Sequence, residues 1–290
     1  MMDRFWDFLL GKKAGKKEYH ELVKTVRRSD AGKKQAREQL KSMMESDDPE
    51  VLNQIAEARI RLYSQAAYEG DEQAQYRVGL SQAKLGNKEV SLEWLTGLAK
   101  KGDVKAMKAI ARGYAQNGIY GYSREEYRHW TQKAAEAGDA QAQADLGLFY
   151  AAKNEKLSRY WYQKSAKQNW PAGCVGLGKA YYNEALLSFG KQEDGRREAL
   201  MQKAEQYFLL AANGAAKNRD FAAACHELGV FYETTAPGEE TAKRAAYFYY
   251  QAWSGGKQNE DREAFERIRD KYGLKVHTED PEKWEHEIFG

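Results

Sequence analysis

The sequence predicts an all-α chain of stacked helical repeats, and three observations predict it. A short phrase recurs along the 290 residues, and its central apolar residue returns at intervals of 32, 36, 31, 51 and 40 residues. A period in that range is typical of repeat architectures, in which each unit packs only on its neighbours. The chain has only four prolines, and its runs of Ala, Glu, Gln, Lys, Leu and Arg favour helices over strands. The recurring apolar residues are Val78, Ile110, Leu146, Leu177, Leu228 and Ile268.

Gly-Asp pairs mark the turn between two helices in three of the repeats. A glycine can end a helix in the left-handed conformation, and an aspartate can cap the next helix by accepting its free N–H groups. Ser123 followed by Glu126, and Asp48 followed by Pro49, predict two further helix starts. The pairs are Gly70-Asp71, Gly102-Asp103 and Gly138-Asp139. The pattern predicts helices near 18–28, 31–46, 50–69, 71–84, 88–101, 103–116, 124–137, 139–152, 155–168, 171–188, 193–213, 218–234, 238–254 and 257–272.

Small and aromatic residues recur at fixed places in each repeat and predict how the helices pack. A small residue follows the central apolar one at Gly79, Ala111, Gly147, Gly178 and Gly229. An aromatic residue stands eight places before each turn at Trp94, Trp130, Trp161 and Phe248, with Tyr207 or Phe208 as the shifted equivalent. Because small side chains let another helix approach closely, we expect these rings to pack over the small residues of adjacent helices.

The charge distribution separates a basic N-terminal segment from a mildly acidic remainder. The net charge is +3, and residues 11–41 contribute +7 through eleven Lys or Arg against four acids, which leaves −4 elsewhere. The basic segment lacks interleaved aromatics, so no nucleic acid is expected as a partner. No stretch approaches the roughly 20 apolar residues of a membrane span, and the charged opening residues do not resemble a signal peptide. The sequence therefore predicts a cytoplasmic protein.

Three regions are expected along the chain: a basic N-terminal helical segment at 1–48, about six repeats at 49–272, and a C-terminal tail or cap at 273–290. The N-terminal segment begins with an apolar cluster, Phe5, Trp6, Leu9 and Leu10, ahead of two Lys-Lys pairs. This cluster is compatible with a cap on the first helices, with weak peripheral contact to a membrane, or with a partner-binding arm.

The sequence contains no constellation that indicates catalysis, a metal or a cofactor. The five histidines are scattered, and no phosphate-binding loop or nucleophile elbow is present. His226 follows Cys225, but adjacent residues on a helix point about 100° apart, which suits neither a shared metal nor a nucleophile–base pair. No enzyme activity is therefore expected.

Cys174 and Cys225 occupy equivalent slots, which stacked helices would place about 9–10 Å apart. This separation is too long for a disulfide, so we expect two free thiols.

The phrase from Ala134 to Tyr150 resembles the Sel-1-like repeat, a relative of the tetratricopeptide repeat. The resemblance extends over about residues 50–272 and implies a right-handed α-superhelical solenoid of antiparallel helix pairs. It also implies a protein-binding adaptor without catalysis. Three departures occur: Gln82 replaces the closing aromatic of the first unit, Asn169-Trp170 replaces one Gly-Asp pair, and an insertion lies around residues 215–220.

A concave face is the surface that such a solenoid offers to a peptide or protein partner. Candidate partner-binding residues are those at two outward positions of the repeats: Arg77, Ser81, Asp145, Phe149, Glu227 and Phe231. Their chemistry suits a polar peptide with one or two apolar anchors, and an ordinary solvated surface is the alternative. The leading hypothesis is a non-enzymatic adaptor in a bacterial cytoplasm. The alternatives are an immunity or regulatory protein that sequesters one toxin or enzyme, and a hydrolase-type enzyme with an unrecognised site.

Overall fold

The computed structural model describes residues 48–188, 194–214, 219–235, 238–276, 278 and 280–289. These residues contain thirteen α-helices and no strand. The helices are α1 Pro49–Tyr68, α2 Glu72–Lys84, α3 Lys88–Lys100, α4 Val104–Tyr114, α5 Arg124–Glu136, α6 Ala140–Tyr150, α7 Glu155–Ala166, α8 Pro171–Leu187, α9 Asp194–Gly214, α10 Arg219–Thr235, α11 Glu239–Gly256, α12 Asn259–Tyr272 and α13 Pro281–Phe289. The prediction of an all-α repeat chain is confirmed.

The twelve helices predicted from residue 50 onward all appear, with ends that differ by a few residues. The two predicted at 18–28 and 31–46 lie outside the described residues, as does the apolar cluster at Phe5, Trp6, Leu9 and Leu10. The cap or arm role of residues 1–48 therefore stays a prediction.

The Gly-Asp turns have the predicted geometry. The three glycines have φ between 95° and 103°, which is the left-handed region. Each aspartate then accepts a hydrogen bond from the backbone N–H three residues later, at 2.7 to 3.0 Å. At the fourth turn Asn169 takes the left-handed position with φ 54°, and Trp170 precedes Pro171 without a side-chain cap. The departure from Gly-Asp thus changes the residues of this turn while the turn itself is retained.

Two compact units divide the chain between Lys133 and Ala134. In the first unit, α1 packs on α2, α2 on α3, and α3 on α4. The recurring apolar residues Val78 and Ile110 are buried there, as is Leu95. The loop after α4 is fixed by Tyr120, whose hydroxyl lies 2.6 Å from that of Ser91.

The second unit contains α6 to α13, and consecutive helices again pack in series from α6 to α12. Its core includes four of the recurring apolar residues, Leu146, Leu177, Leu228 and Ile268, each at most 2% exposed. Residues 273–290, expected as a tail or cap, include α13, which packs on α11. Trp284 of α13 is 2% exposed and meets the rings of Tyr247 and Tyr250.

Large side chains cover the small residues of the preceding helix, one position later than predicted at two sites. Tyr162 covers Gly147 and Tyr249 covers Gly229, where the spacing pointed to Trp161 and Phe248. One residue turns a helical side chain by about 100°, so the tyrosines face the preceding helix and the neighbouring rings pack elsewhere. Gly178 is covered by Phe208, as the shifted alternative predicted.

Cys174 and Cys225 are both free, as predicted, and both are buried. They are at most 1% exposed. Burial raises the pKa of Cys174 to about 11 and that of Cys225 to about 12, the latter with a smaller contribution from Asp261. Both thiols are therefore protonated at neutral pH, as expected of buried structural cysteines.

Candidate functional site: a groove in the second unit

A groove of about 560 Å³ opens on the second unit between helices that follow repeat turns. Helices α6, α8 and α10 form its sides, and α7 contributes to its floor. The lining consists mainly of small and aliphatic side chains, with a few charged ones at the edges. The lining residues are Ala144, Asp145, Leu148, Ala151, Glu155, Ser158, Tyr162, Ala172, Val175, Gly176, Lys179, Ala180, Asn183, Leu187, Asp220 and Ala223.

Tyr162 is the largest side chain on the floor, and two glycines make room for it. A methyl group on Gly147 of α6 would lie 2.5 Å from a ring carbon, and one on Gly176 of α8 would lie closer still. The ring is therefore held between two neighbouring helices, and it is 9% exposed. Burial, followed by the charge of Asp145, raises the pKa of Tyr162 to about 12. Its hydroxyl is neutral at physiological pH, so it can act as a hydrogen-bond donor.

Ser158, one turn before Tyr162 on α7, ties this floor to α6. Its buried hydroxyl donates a 2.7 Å hydrogen bond to the carbonyl of Gly147. Ser91 donates in the same way to the carbonyl of Gly79 in the first unit, also at 2.7 Å. This hydrogen bond thus recurs in the two units, and in the second unit it positions α7, which carries Tyr162.

Two exposed leucines flank the groove. Leu148 of α6 is 70% exposed and Leu187 at the end of α8 is 78% exposed. Val175, on α8 like Leu187, also lines the groove and is partly buried. Large aliphatic side chains that line a concavity and face water are typical of binding sites, because covering them releases ordered water.

The charged residues of the lining are mostly acidic. Asp145, Glu155 and Asp220 carry negative charge, and Lys179 carries the one positive charge of the lining. Lys179 Nζ lies 2.7 Å from a carboxylate oxygen of Glu227 on α10. The positive charge of Lys179 is thus opposed by a neighbouring carboxylate.

The six residues predicted for partner binding fall in different surroundings. Asp145 lines the groove, and Glu227 contacts it through Lys179. Arg77 lies exposed in the first unit, where it donates a 2.8 Å hydrogen bond to the hydroxyl of Tyr63. Phe149 is half-buried, with the Lys153 ammonium 5.0 Å from its ring centre.

For Ser81 and Phe231 the predicted outward position is wrong. Ser81 is 2% exposed and Phe231 is 5% exposed, so neither side chain offers surface to a partner. Both lie four residues after an outward position, which corresponds to a rotation of about 40° toward the buried side of the helix. The residue three places on is rotated about 60° the other way, and in α6 that residue is Leu148.

Sequence reasoning therefore missed the two leucines and the floor tyrosine. Leu148 could have been found by stepping three residues from Asp145 instead of four. Leu187 is the last residue of α8, in the irregular fourth unit, and nothing in the repeat pattern indicates that it lines the groove. The position of Tyr162 on the floor depends on the glycines of two other helices, which spacing alone does not reveal.

His226 and Asp261 form the other polar pair considered for chemistry. His226 Nδ1 lies 2.7 Å from Asp261 Oδ1, and the aspartate is 3% exposed. The preceding Cys225 is buried and protonated, so it supplies no activated thiolate to this histidine. In the described part of the chain, no group of three His, Cys, Asp or Glu side chains is arranged to hold a metal ion.

No described helix has both the length and the apolar character needed to cross a bilayer.

Comparisons with known proteins bear on the fold more than on the activity. No family model matches the chain. Chitin synthase regulatory factor 4 of Schizosaccharomyces pombe is 33% identical over 143 residues, covering 46% of this chain and 21% of that protein. The match thus spans about a fifth of the length of the curated relative.

Two solved structures share the fold. The c5321 protective antigen of uropathogenic Escherichia coli, described as displaying an SLR fold, superposes with a TM-score of 0.60 at 23% identity. It covers 89% of this chain, which corresponds to 56% of the antigen. A Sel1 repeat protein from Oxalobacter formigenes gives a TM-score of 0.58 at 17% identity over 97% of this chain and 88% of that one. This chain therefore has the fold of the Sel1-like repeat proteins.

Proposed function

We propose that this chain is a non-enzymatic scaffold that binds a segment of a partner protein in the groove of its second unit. The observation that carries the proposal is the pair of exposed leucines, Leu148 and Leu187, at an open concavity of about 560 Å³. A cavity of this size accommodates a few side chains of a peptide. Helical-repeat folds commonly use such surfaces to bind extended segments or helices.

The name of one relative supports a regulatory role, because that protein is named as a regulatory factor for chitin synthase. A regulatory role by sequestering a single partner is compatible with the same groove, so it is the second candidate. The cytoplasmic location and bacterial origin expected from the sequence belong to the proposal as well.

Two neighbouring alanines provide a test of the groove. Ala151 lines it and Ala152 does not, and both are exposed. Ala151→Trp should fill the opening without disturbing the core, and Ala152→Trp is the matched control. Each tagged variant would be used to purify partners from an extract of the cells that encode the chain, followed by mass spectrometry.

The expected result is that wild type and Ala152→Trp retain the same partner, which Ala151→Trp loses. If Ala151→Trp retains every partner at wild-type yield, the groove is not the binding surface. If a purified partner is instead chemically altered by the chain, the non-enzymatic part of the proposal is wrong.

A further inference from the structure

The floor of the groove contains a buried tyrosine hydroxyl that bonds to no other part of the described chain. Tyr162 is 9% exposed, and its hydroxyl has no hydrogen-bond partner among the residues that the structure describes. Buried tyrosine hydroxyls usually have such a partner, so this one calls for an explanation. Other buried tyrosines of this chain follow the rule, with Tyr120 bonded to Ser91, Tyr232 to Glu205 and Tyr249 to Glu233.

The free hydroxyl lies at the α8 side of the groove. A methyl group on Gly147 of α6 would meet the Cγ side of the Tyr162 ring. A methyl group on Gly176 of α8 would instead overlap Cζ, the carbon that carries the hydroxyl. Since burial keeps this hydroxyl protonated at neutral pH, it can donate a hydrogen bond to an acceptor that enters the groove beside Gly176.

The lining of the groove is elongated along α8. Residues on successive turns of this helix line it, from Ala172 through Val175, Lys179 and Asn183 to Leu187. Spacings of three and four residues place them on one face of the helix. At a rise of 1.5 Å per residue, this face is about 22 Å long. A molecule that contacts both of its ends therefore has to be a chain.

Asn183 supplies a second polar group on the same face. It is exposed, it lines the groove, and its side-chain amide has no hydrogen-bond partner within the described part of the chain. Seven residues separate it from Gly176, which corresponds to two turns and about 10 Å. The amide can donate and accept at once, as a peptide main chain can. An extended chain covers the same distance with about three residues.

These two polar groups distinguish between the elongated molecules that the groove could hold. The main-chain groups of a helix are bonded within the helix, so they are not free to pair with Tyr162 and Asn183. A hydrocarbon chain has no acceptor along its length. An extended peptide presents carbonyl and N–H groups about every 3.3 Å, and these need partners when they leave water.

Given the proposed function, on which this inference rests, we propose that the groove holds the partner segment in an extended conformation and binds its main chain. The Tyr162 hydroxyl donates to one carbonyl, and the Asn183 amide pairs with a main-chain group about three residues away. Different side chains of the segment contact Leu148 and, further along α8, Leu187. Because every residue has the same main-chain groups, the groove accepts a range of sequences whose order of preference depends on these apolar contacts.

A phage-displayed library of random heptapeptides would test this proposal, because about seven extended residues match the length of the α8 face. The full chain selects peptides, which are then synthesised with a fluorescein label and measured by fluorescence anisotropy. Selected peptides should bind wild type and should fail to bind Ala151→Trp, in which the groove is filled.

Tyr162→Phe removes the hydroxyl and retains the ring of the floor. It should weaken binding of the selected peptides about two- to tenfold, the usual effect of losing one neutral hydrogen bond. Its free energy of unfolding should equal that of wild type, because no hydrogen bond within the described chain is lost. Tyr249→Phe is the opposite control: it loses a bond to Glu233 outside the groove, so it should reduce stability and leave binding unchanged.

The main-chain contacts have their own test. In a series of synthetic analogues, each amide of a selected peptide is replaced in turn by an ester, which removes the N–H and weakens the carbonyl as an acceptor. At least one ester should weaken binding to wild type, and its effect should be smaller in Asn183→Ala or Tyr162→Phe. Asn213→Ala on α9 is the control, because Asn213 is exposed and does not line the groove.

Three outcomes would overturn the inference. If every ester analogue binds as tightly as its parent, the main chain is not recognised. If Tyr162→Phe binds the peptides as wild type does, the hydroxyl is not part of the site. If the selected peptides bind Ala151→Trp equally well, they occupy another surface.

The last outcome separates this inference from the proposed function. If no heptapeptide is selected, yet wild type captures a cellular protein that Ala151→Trp loses, the extended main-chain mode is wrong and the groove is still the binding surface. If neither heptapeptides nor cellular partners depend on the groove, both proposals fail.

Discussion

At the scale of single residues, glycines have the largest effect on the shape of the groove, because their missing side chains leave room for an aromatic ring. Gly147 and Gly176 leave the volume that the Tyr162 ring occupies, so a side chain at either position would displace the floor. Gly229 does the same for Tyr249 between α10 and α11. A glycine inside a helix costs about 0.5–1 kcal/mol relative to alanine. At these positions the close packing of a neighbouring ring offsets the cost of the helical glycine.

Two glycine-to-alanine changes should therefore have opposite effects. Gly147→Ala places a methyl group 2.5 Å from the Tyr162 ring and should lower the free energy of unfolding by about 1–3 kcal/mol. Gly97→Ala in α3 meets no atom within 4 Å and should raise it by about 0.5–1 kcal/mol. Urea denaturation followed by circular dichroism measures both. Equal destabilisation by the two changes would contradict the packing described for Tyr162.

The cysteines give a second prediction at this scale. Cys174 and Cys225 are buried, with pKa values raised to about 11 and about 12, so thiolate is scarce at pH 8. Neither should react with Ellman's reagent in the native protein, and both should react at once in guanidinium chloride. Rapid labelling of one thiol without denaturant would show that its helix opens readily.

At the scale of the helix, the Gly-Asp turn both ends one element and begins the next. The glycine takes a left-handed conformation, and the aspartate carboxylate accepts the N–H of the third residue along. Repeating the same device fixes the direction of successive helices without a long loop. It also explains why helix positions could be predicted well: the turn signal is local and depends on two adjacent residues.

Removing one cap measures what this device contributes. Asp71 accepts a 2.7 Å hydrogen bond from the N–H of Ala74. Asp71→Ala should lower the free energy of unfolding of the first unit by about 1 kcal/mol, within a range of about 0.5–2 kcal/mol. Asp71→Asn retains a capping oxygen and should cost much less. Equal losses in the two variants would show that the negative charge, and not the hydrogen bond, is responsible.

On the scale of a whole unit, arginine–glutamate pairs link different helices of the second unit. Arg159 of α7 donates to Glu184 of α8, and Arg267 of α12 donates to Glu233 of α10. These hydrogen bonds are the largest cause of the lowered pKa of each glutamate. A carboxyl group whose pKa is lowered in the folded state stabilises the protein above its unfolded-state pKa, and that stabilisation disappears as the pH falls through the lowered value.

Glu184→Gln should show this pH dependence directly. At pH 7 it should reduce the free energy of unfolding by up to about 1 kcal/mol, the usual contribution of a partly exposed ion pair. The difference from wild type should narrow as the pH drops below the ordinary glutamate pKa of 4.5, because the wild-type carboxylate becomes protonated as well. Glu263→Gln, an exposed glutamate, serves as control. A difference that is constant from pH 7 to pH 3 would contradict the lowered pKa.

The sequence was sufficient to predict the fold class, the turns and the burial of the recurring apolar residues. These depend on contacts within one repeat or between adjacent repeats, which a local pattern records. The candidate site was predicted less well: Asp145 lines the groove, but Ser81 and Phe231 are buried and Leu148, Tyr162 and Leu187 were missed. Whether a side chain beside the packed face of a helix is exposed depends on how closely the neighbouring helix approaches. That approach depends on glycines and aromatic rings in other helices.

The placement of Tyr162 has a consequence for how binding preferences could diverge in this fold. The same ring seals the seam between α6 and α8 and forms the bottom of the groove, so changing it alters stability and recognition together. Leu148, Leu187 and Ala223 line the groove and are exposed, so changing them should alter recognition with little effect on stability. New specificities should therefore be obtained most easily by varying the walls while the floor is conserved. In a selection experiment that randomises both, substitutions should be tolerated more often at the wall residues than at Tyr162.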